Sequence, residues 1–274
     1  MKRAHFLRWC SSSGQYRRVD ARSLSARFSA VRGVLQLAIV SPSETNPEEC
    51  VMKASPAPIS FAGSTLGRYR HVCAFFSSPE EEYATLLPFV RDGIEGGERA
   101  VHLVRSQDRE HHLDRLRGAG IDVATAQQRR QLEVTIPEEI YLPGGRFDKE
   151  AVLVALEEAL KNGEALGFPL TRLIAHAEAV LEDWSNLDDW IEYEARANDV
   201  LYRYDHPVIC TYDARLLNGS LAVDILRTHP VAVIGGCLYE NPFFVPPQQF
   251  LEQIRQRGAT PRRYGRMMPL TAAA

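Results

Sequence analysis

From position 71 onward, short apolar runs alternate with stretches in which apolar residues recur every three or four positions. The runs at 71–76, 99–105, 131–136, 171–177, 208–212 and 231–238 have the length and near-continuous apolar character of strands buried on both faces. The stretches at 79–95, 107–117, 149–166, 187–202, 220–228 and 247–257 carry the helical period. Strands separated by helices predict an α/β fold, a mostly parallel sheet covered by helices on both faces. The steps follow one another without a Pro/Ser-rich linker, so the pattern predicts one domain over 68–258 and a short tail at 259–274. There is no internal repeat.

The first strand-to-helix turn, Phe75-Phe76-Ser77-Ser78-Pro79-Glu80-Glu81-Glu82-Tyr83, sits where a nucleotide-binding α/β protein carries a glycine-rich phosphate loop. Such a loop needs glycines so that backbone N–H groups can wrap the phosphates, and a Lys to meet their charge. This turn has neither, and its three glutamates repel phosphate. It nevertheless starts a helix well: Ser78 suits the N-cap, Pro79 the first helical position, Glu81 completes a capping box, and the acids meet the positive end of the helix dipole. Tyr83, Leu86, Leu87, Val90 and Ile94 then recur at helical spacing, and Gly93, Gly96 and Gly97 punctuate the end. The turn keeps the architecture of a βα unit without the phosphate site.

Charge changes the picture at the N-terminus. The formal net charge is −3, yet residues 1–32 carry eight Lys or Arg against Asp20 alone, so the remainder holds −10. An acidic body argues against direct binding to nucleic acid. Residues 1–67 read as a basic, flexible segment, open to reading as a transit peptide or as a tail on an acidic surface. Met52, followed by Lys53-Ala54-Ser55-Pro56-Ala57-Pro58, reads as a natural start. No run approaches a membrane span. Five cysteines without a C-x-x-C spacing fit reduced thiols in a cytoplasm.

In a doubly wound sheet, ligands collect beyond the carboxyl ends of the strands. That rule gathers Ser77, Arg105, Glu139 with Tyr141, Glu178, Asp213, and Glu240 with Asn241 around one crevice. His71 and Cys73 share a strand face at i, i+2, as do Cys210 and Tyr212, and His176 and Glu178. On neighbouring strands His71, Cys73, His176 and Cys210 would converge on a thiophilic metal, but ordinary core thiols and hydrogen-bonded histidines fit the same pattern, and no metal is assigned. Asp213 resembles the strand-end aspartate that holds Mg²⁺ in NTPases and equally suits a helix cap or turn. The loop Asn241-Pro242-Phe243-Phe244-Val245-Pro246-Pro247 either walls an apolar pocket or covers the sheet edge. Asp188, Asp189, Glu192 and Glu194 crowd one helix as a solvated face does, although Glu194 and Asn198, at i, i+4, share a face that points either to solvent or to the crevice. There is no G-x-S-x-G elbow and no cofactor motif.

Taken in order, His71-x-Cys73-x-Phe75-Phe76, Ser78-Pro79-Glu80-Glu81-Glu82-Tyr83, Leu87-Pro88-Phe89 with Gly93, Tyr141 with Gly145-Arg146-Phe147-Asp148, Tyr193-Glu194 with Asn198, Cys210-x-Tyr212-Asp213, His229-Pro230 and Asn241-Pro242-Phe243 resemble the MEDS domain, the methanogen/methylotroph DcmR-type sensory domain. The resemblance spans about 70–257. It implies a RecA/KaiC-like three-layer core without a Walker A loop, acting as a non-enzymatic sensor of small organic molecules such as hydrocarbon derivatives. By that likeness His71, Cys73, Glu178, Cys210, Tyr212, Asp213, His229 and Asn241 become candidate ligand-binding residues. Members often join the domain to DNA-binding, kinase or PAS modules. Neither flank of this chain reads as such a module, so the expected output is a separate protein partner: a kinase, an anti-sigma factor or a transcription regulator. Two other readings remain open, a metal- or thiol-dependent enzyme using His71, Cys73, Cys210 and Asp213, and a ligand-free interaction module.

Overall fold

The computed structural model describes residues 57–141, 147–177 and 187–256. The chain divides at Met52 into two units, and everything described belongs to the second, Lys53–Ala274. Glu178 and the basic stretch before residue 57 lie outside the described residues.

Seven strands form the central sheet: β3 (His71–Phe76), β4 (Arg99–Leu103), β5 (Leu132–Thr135), β6 (Thr171–His176), β7 (Val208–Asp213), β8 (Val231–Ile234) and β9 (Cys237–Glu240). Their order is β5-β4-β6-β7-β3-β8-β9, parallel except for β9. The expected α/β class with helices on both faces holds. Strand alternation sorts the core into two. Cys73, Leu173, Ala175, Cys210, Tyr212 and Ala232 face α5 (Lys149–Ala165), α6 (Leu187–Leu201), α7 (Gly219–Thr228) and α8 (Pro247–Gln256). Val72, Ala74, Phe76, Ala100, Ile174, Ile209 and Val233 face α1 (Pro79–Glu95), α2 (Arg109–Gly118) and α3 (Val123–Gln128). A short α4 (Pro137–Tyr141) follows β5.

Two expectations change. The run 231–238 is not one strand: Gly235 and Gly236, at φ +58° and +69°, turn it into a hairpin of β8 and antiparallel β9, because only glycine takes two successive positive φ values at little cost. The segment expected to be flexible up to residue 67 is ordered from Ile59. There β1 (Ile59–Phe61) and β2 (Ser64–Leu66) pair across Ala62-Gly63, and Phe61 packs on Phe89 of α1 at 4.8 Å between ring centroids.

Helix α1 has the predicted bounds. Ser78 Oγ accepts the Glu81 N–H at 3.2 Å. The Glu81 carboxylate reaches back one residue further than a capping box requires, accepting from the Ser77 N–H at 2.9 Å and its hydroxyl at 2.5 Å.

Candidate functional site

The sheet carries a different polar cluster on each face. The first is centred on Glu194, which α6 turns inward and buries completely. One carboxylate oxygen, Oε1, accepts the Tyr212 hydroxyl at 2.6 Å. The other, Oε2, lies 3.2 Å from His71 Nε2, 3.4 Å from His229 Nε2 and 3.8 Å from Cys210 Sγ. Cys210 Sγ is also 3.6 Å from His71 Nε2.

Several elements converge to make this arrangement. Parallel register sets Cys73 beside Cys210 and His71 beside Val208, so His71, Cys73, Cys210 and Tyr212 share one face. His229 follows α7 immediately before β8. Its Nδ1 lies 2.9 Å from the Ile225 carbonyl and 3.0 Å from Thr228 Oγ1. Because Thr228 Oγ1 donates to that same carbonyl at 2.8 Å, its lone pair is left to accept, and His229 carries its proton on Nδ1. Asn198 fixes His71 the same way. Its amide nitrogen donates to the carbonyls of Glu194, Ala195 and Thr228, so its oxygen is what meets His71 Nδ1 at 3.2 Å.

Burial works against charge here, and the partners decide where charge survives. Burial alone would raise the Glu194 carboxyl, but His229 and His71 beside it hold it well below the ordinary carboxylate range. Burial, and then the neighbouring His229, lowers the His71 imidazole. Burial, reinforced by Glu194, pushes the Cys73 and Cys210 thiols and the Tyr212 phenol well above their ordinary values.

Next to Cys210 the same face opens into an apolar cavity of about 70 Å³ between the sheet and α5 and α6. Leu103, Ala175, Val152, Ala155, Ala159, Tyr141, Trp190 and Tyr193 line it with Cys210. Trp190 Nε1–H is buried without a hydrogen-bond partner in the structure. Tyr141, Phe147, Trp190 and Tyr193 pack edge-on and tilted, with centroids 5.2–6.5 Å apart.

The second cluster lies on the other face, near the carboxyl ends of the strands. Tyr83 Oη, His112 and His102 form a chain with separations of 3.0 and 2.8 Å, and His176 Nδ1 lies 3.1 Å from Glu82 Oε1. Burial first, then neighbouring histidines, lowers His102 to about 3 and His112 to about 2. Burial raises Glu82 to about 7. A crevice of about 200 Å³ opens here, lined by Ser78, Glu82, Arg105, Asp108, His176, Asp213 and Arg215 among others.

Against this geometry the candidates separate. His71, Cys210, Tyr212 and His229 meet around Glu194, with Cys73 on the adjoining strand position, its Sγ 3.7 Å from the Val231 carbonyl. His176 does not join them. Its register partner is Thr211, so it points to the opposite face, and the set His71, Cys73, His176 and Cys210 does not form. Asp213 stays at the crevice, where it caps the 3₁₀ turn Ala214–Leu216 and pairs with Arg215; it is not part of a His71/Cys73/Cys210 constellation. Asn241 is committed to the chain itself. Its amide donates to the Leu226 and His229 carbonyls, and its oxygen accepts the Phe243 N–H. Because β9 runs antiparallel, Glu240 sits opposite Val231, at the amino end of β8 rather than at the crevice. Tyr141 belongs to the apolar cavity.

Glu194 was open to reading as a solvated carboxylate. The signal that places it inside is positional: Leu187, Trp190, Ile191, Glu194, Asn198 and Leu201 form one helical stripe, apolar apart from Glu194 and Asn198.

Among the described residues no helix is long and apolar enough to cross a membrane. A KaiC-like protein, PH0186, from Pyrococcus horikoshii OT3 superposes with a TM-score of 0.45 at 13% identity, over 60% of this chain and 70% of its own. The transcriptional repressor DcmR of Methylorubrum extorquens is 27% identical over 175 residues, which are 63% of this chain and 63% of the repressor's length. The family model described as MEDS, the MEthanogen/methylotroph, DcmR Sensory domain, matches residues 70–230. That interval runs from the start of β3 to the start of β8 and contains every residue of the Glu194 cluster, so the shared domain and the buried site coincide: the chain belongs to the MEDS family of sensory domains.

Proposed function

We propose that this domain senses a small, largely apolar organic molecule, bound in the cavity between the sheet and helices α5 and α6, and passes its presence to a protein partner. The observation that carries the reading is the cavity itself: about 70 Å³, walled mainly by aliphatic and aromatic side chains, with Glu133, Thr135, Cys210 and the polar-tipped rings of Tyr141, Trp190 and Tyr193 among them. A space of this size takes a molecule of a handful of heavy atoms, and an apolar lining with few polar groups is what a small organic ligand requires. Membership in a family of sensory domains supports a regulatory role, and the similarity to a transcriptional repressor points to gene regulation as its setting. Occupancy would push on α5 and α6, and α5 exposes Glu150, Val154 and Glu158 on its outer side, a surface a partner can read.

The test is a titration of the full chain with 1-propanol, followed by the Trp190 indole NMR resonance, in wild type and in Ala155→Leu. Ala155 lies on the half-buried side of α5, where added methyl groups enter the cavity. Saturable shifts in wild type that vanish in Ala155→Leu support the reading. Identical responses in the two proteins, or no saturable response in wild type, overturn it.

A further inference from the structure

We propose that His71, Glu194, Cys210 and His229 form a tetrahedral site for a divalent metal of borderline softness, Zn²⁺ first. Each residue offers one ligand atom, and the four atoms lie within 4.8 Å of one another.

Four of the six edges have the spacing of a coordination shell, and the set as a whole, within 4.8 Å, would have to draw together around the ion. With Zn–N and Zn–O near 2.05 Å and Zn–S near 2.3 Å, a tetrahedron has N···O edges of about 3.3 Å and S···N or S···O edges of about 3.6 Å. The observed N···O edges are 3.2 and 3.4 Å, and those from sulfur are 3.6 and 3.8 Å.

The hydrogen bonds around the cluster prepare the donors. Both imidazoles hold their proton on Nδ1, against the Asn198 oxygen for His71 and against Ile225 and Thr228 for His229. Both therefore aim Nε2 lone pairs at the same carboxylate oxygen. Three acceptors facing one another in a dry interior need positive charge among them, either a second proton on an imidazole, the state in which the histidines lower Glu194, or a metal ion that takes that proton's place. His229 Nε2 is a buried atom with no hydrogen-bond partner in the structure. Tyr212 orients the carboxylate from behind, and a metal-ligand histidine whose other nitrogen donates to a carbonyl is the usual outer-shell arrangement. Four protein donors fill the tetrahedron, leaving no position for an activated water, so the site is structural rather than hydrolytic. It would pin β3, β7, α6 and the α7–β8 junction together. On binding, Cys210 gives up its thiol proton to solvent, as metal binding to a thiol requires.

This inference is independent of the cavity ligand, and either can fail alone. The full chain, produced in medium supplemented with Co²⁺, is examined by elemental analysis and electronic absorption, beside Cys210→Ser, His229→Gln and Cys73→Ser. The expected result is one Co²⁺ per chain that survives dialysis, with intense tetrahedral d–d bands and a thiolate charge-transfer band. Cys210→Ser should lose the charge-transfer band, His229→Gln should hold the metal at least tenfold more weakly, and Cys73→Ser should match wild type. Melting curves of the metal-free variants report whether each one folds. Substoichiometric metal in folded wild type, a spectrum without a thiolate band, or a Cys210→Ser spectrum unchanged from wild type overturns the proposal.

Discussion

The Tyr212 hydroxyl donates to Glu194 Oε1 at 2.6 Å, joining the middle of the sheet to the centre of α6 with both groups out of solvent. A hydrogen bond to a buried charge contributes about 1.5–3 kcal/mol, more than a neutral pair. Tyr212→Phe removes the donor and keeps the ring on Phe75, 5.7 Å away. Urea denaturation should show it destabilised by about 1.5–3 kcal/mol; a change under 0.5 kcal/mol would mean that the carboxylate has another donor.

Gly93 is fixed by what lies against it. A Cβ there would stand 2.6 Å from Arg172 Nε and 2.7 Å from its Cδ. Arg172 has no room to yield: its Nη1 donates to the Phe89 carbonyl at 2.5 Å, its guanidinium lies 4.5 Å from the Phe89 ring centroid, and its Nε pairs with Glu98. Helix propensity alone favours Ala over Gly by about 1 kcal/mol. Gly93→Ala should nonetheless destabilise the protein, by about 1–3 kcal/mol as overpacking does, whereas an increase in melting temperature would show that Arg172 repacks freely.

Acid stability should follow the second histidine cluster. In the unfolded chain His102 and His112 protonate near 6.5, while in the folded protein they resist until about 3 and about 2. As pH falls through this window the unfolded state binds more protons, and stability is lost. Glu82, raised to about 7, acts in the opposite sense between its ordinary 4.5 and 7, because there the folded state holds the extra proton. The loss due to these three groups should therefore steepen below pH 4.5, towards about 2.7 kcal/mol per pH unit for two protons. Unfolding free energies measured by urea at several pH values should give His112→Gln a slope lower by about 1.4 kcal/mol per unit. Parallel slopes would count against burial as the cause.

Nucleotides should leave the protein unmoved. At the start of α1 the Glu81 carboxylate already occupies the Ser77 N–H, and Ser78 Oγ already accepts the Glu81 N–H. Glu82 and Asp213 add carboxylates to the crevice. Melting curves with and without MgATP at about 100 times a micromolar Kd would differ by the equivalent of about 2.7 kcal/mol if a site existed; the expectation is superposition.

The fold was legible where local signals are strong. Ser78 and Pro79 open α1 and Gly96 closes it, and these residues act on their own neighbours, so no distant contact can move the ends. The β1–β2 hairpin escaped because three-residue strands are too short to show a period, and it is the burial of Ile59, Phe61 and Leu66 against the core, with Phe61 on Phe89, that makes them worth forming. Val231 to Leu238 read as one strand because its apolar character is continuous, while Gly235-Gly236 was the available turn signal. The site was legible in kind but not in place. Period-2 spacing put His71 with Cys73 and Cys210 with Tyr212, yet which strands are neighbours is a matter of topology, and that sent His176 to the other face. The rule that ligands gather at carboxyl ends drew attention to the crevice, while His71 and His229 stand at the amino ends of their strands.

The Glu194 cluster also bears on how the chain reaches its native state. His71 meets Asn198 across 127 positions and Cys210 across 139. Closing loops of that length costs entropy that only an assembled sheet can offset, and contacts so remote in sequence slow folding and form late. The cluster is thus a checkpoint on completion. A chain paused during synthesis anywhere before residue 229 lacks one of its members, and until then Glu194 is a carboxylate that the interior has no reason to accept.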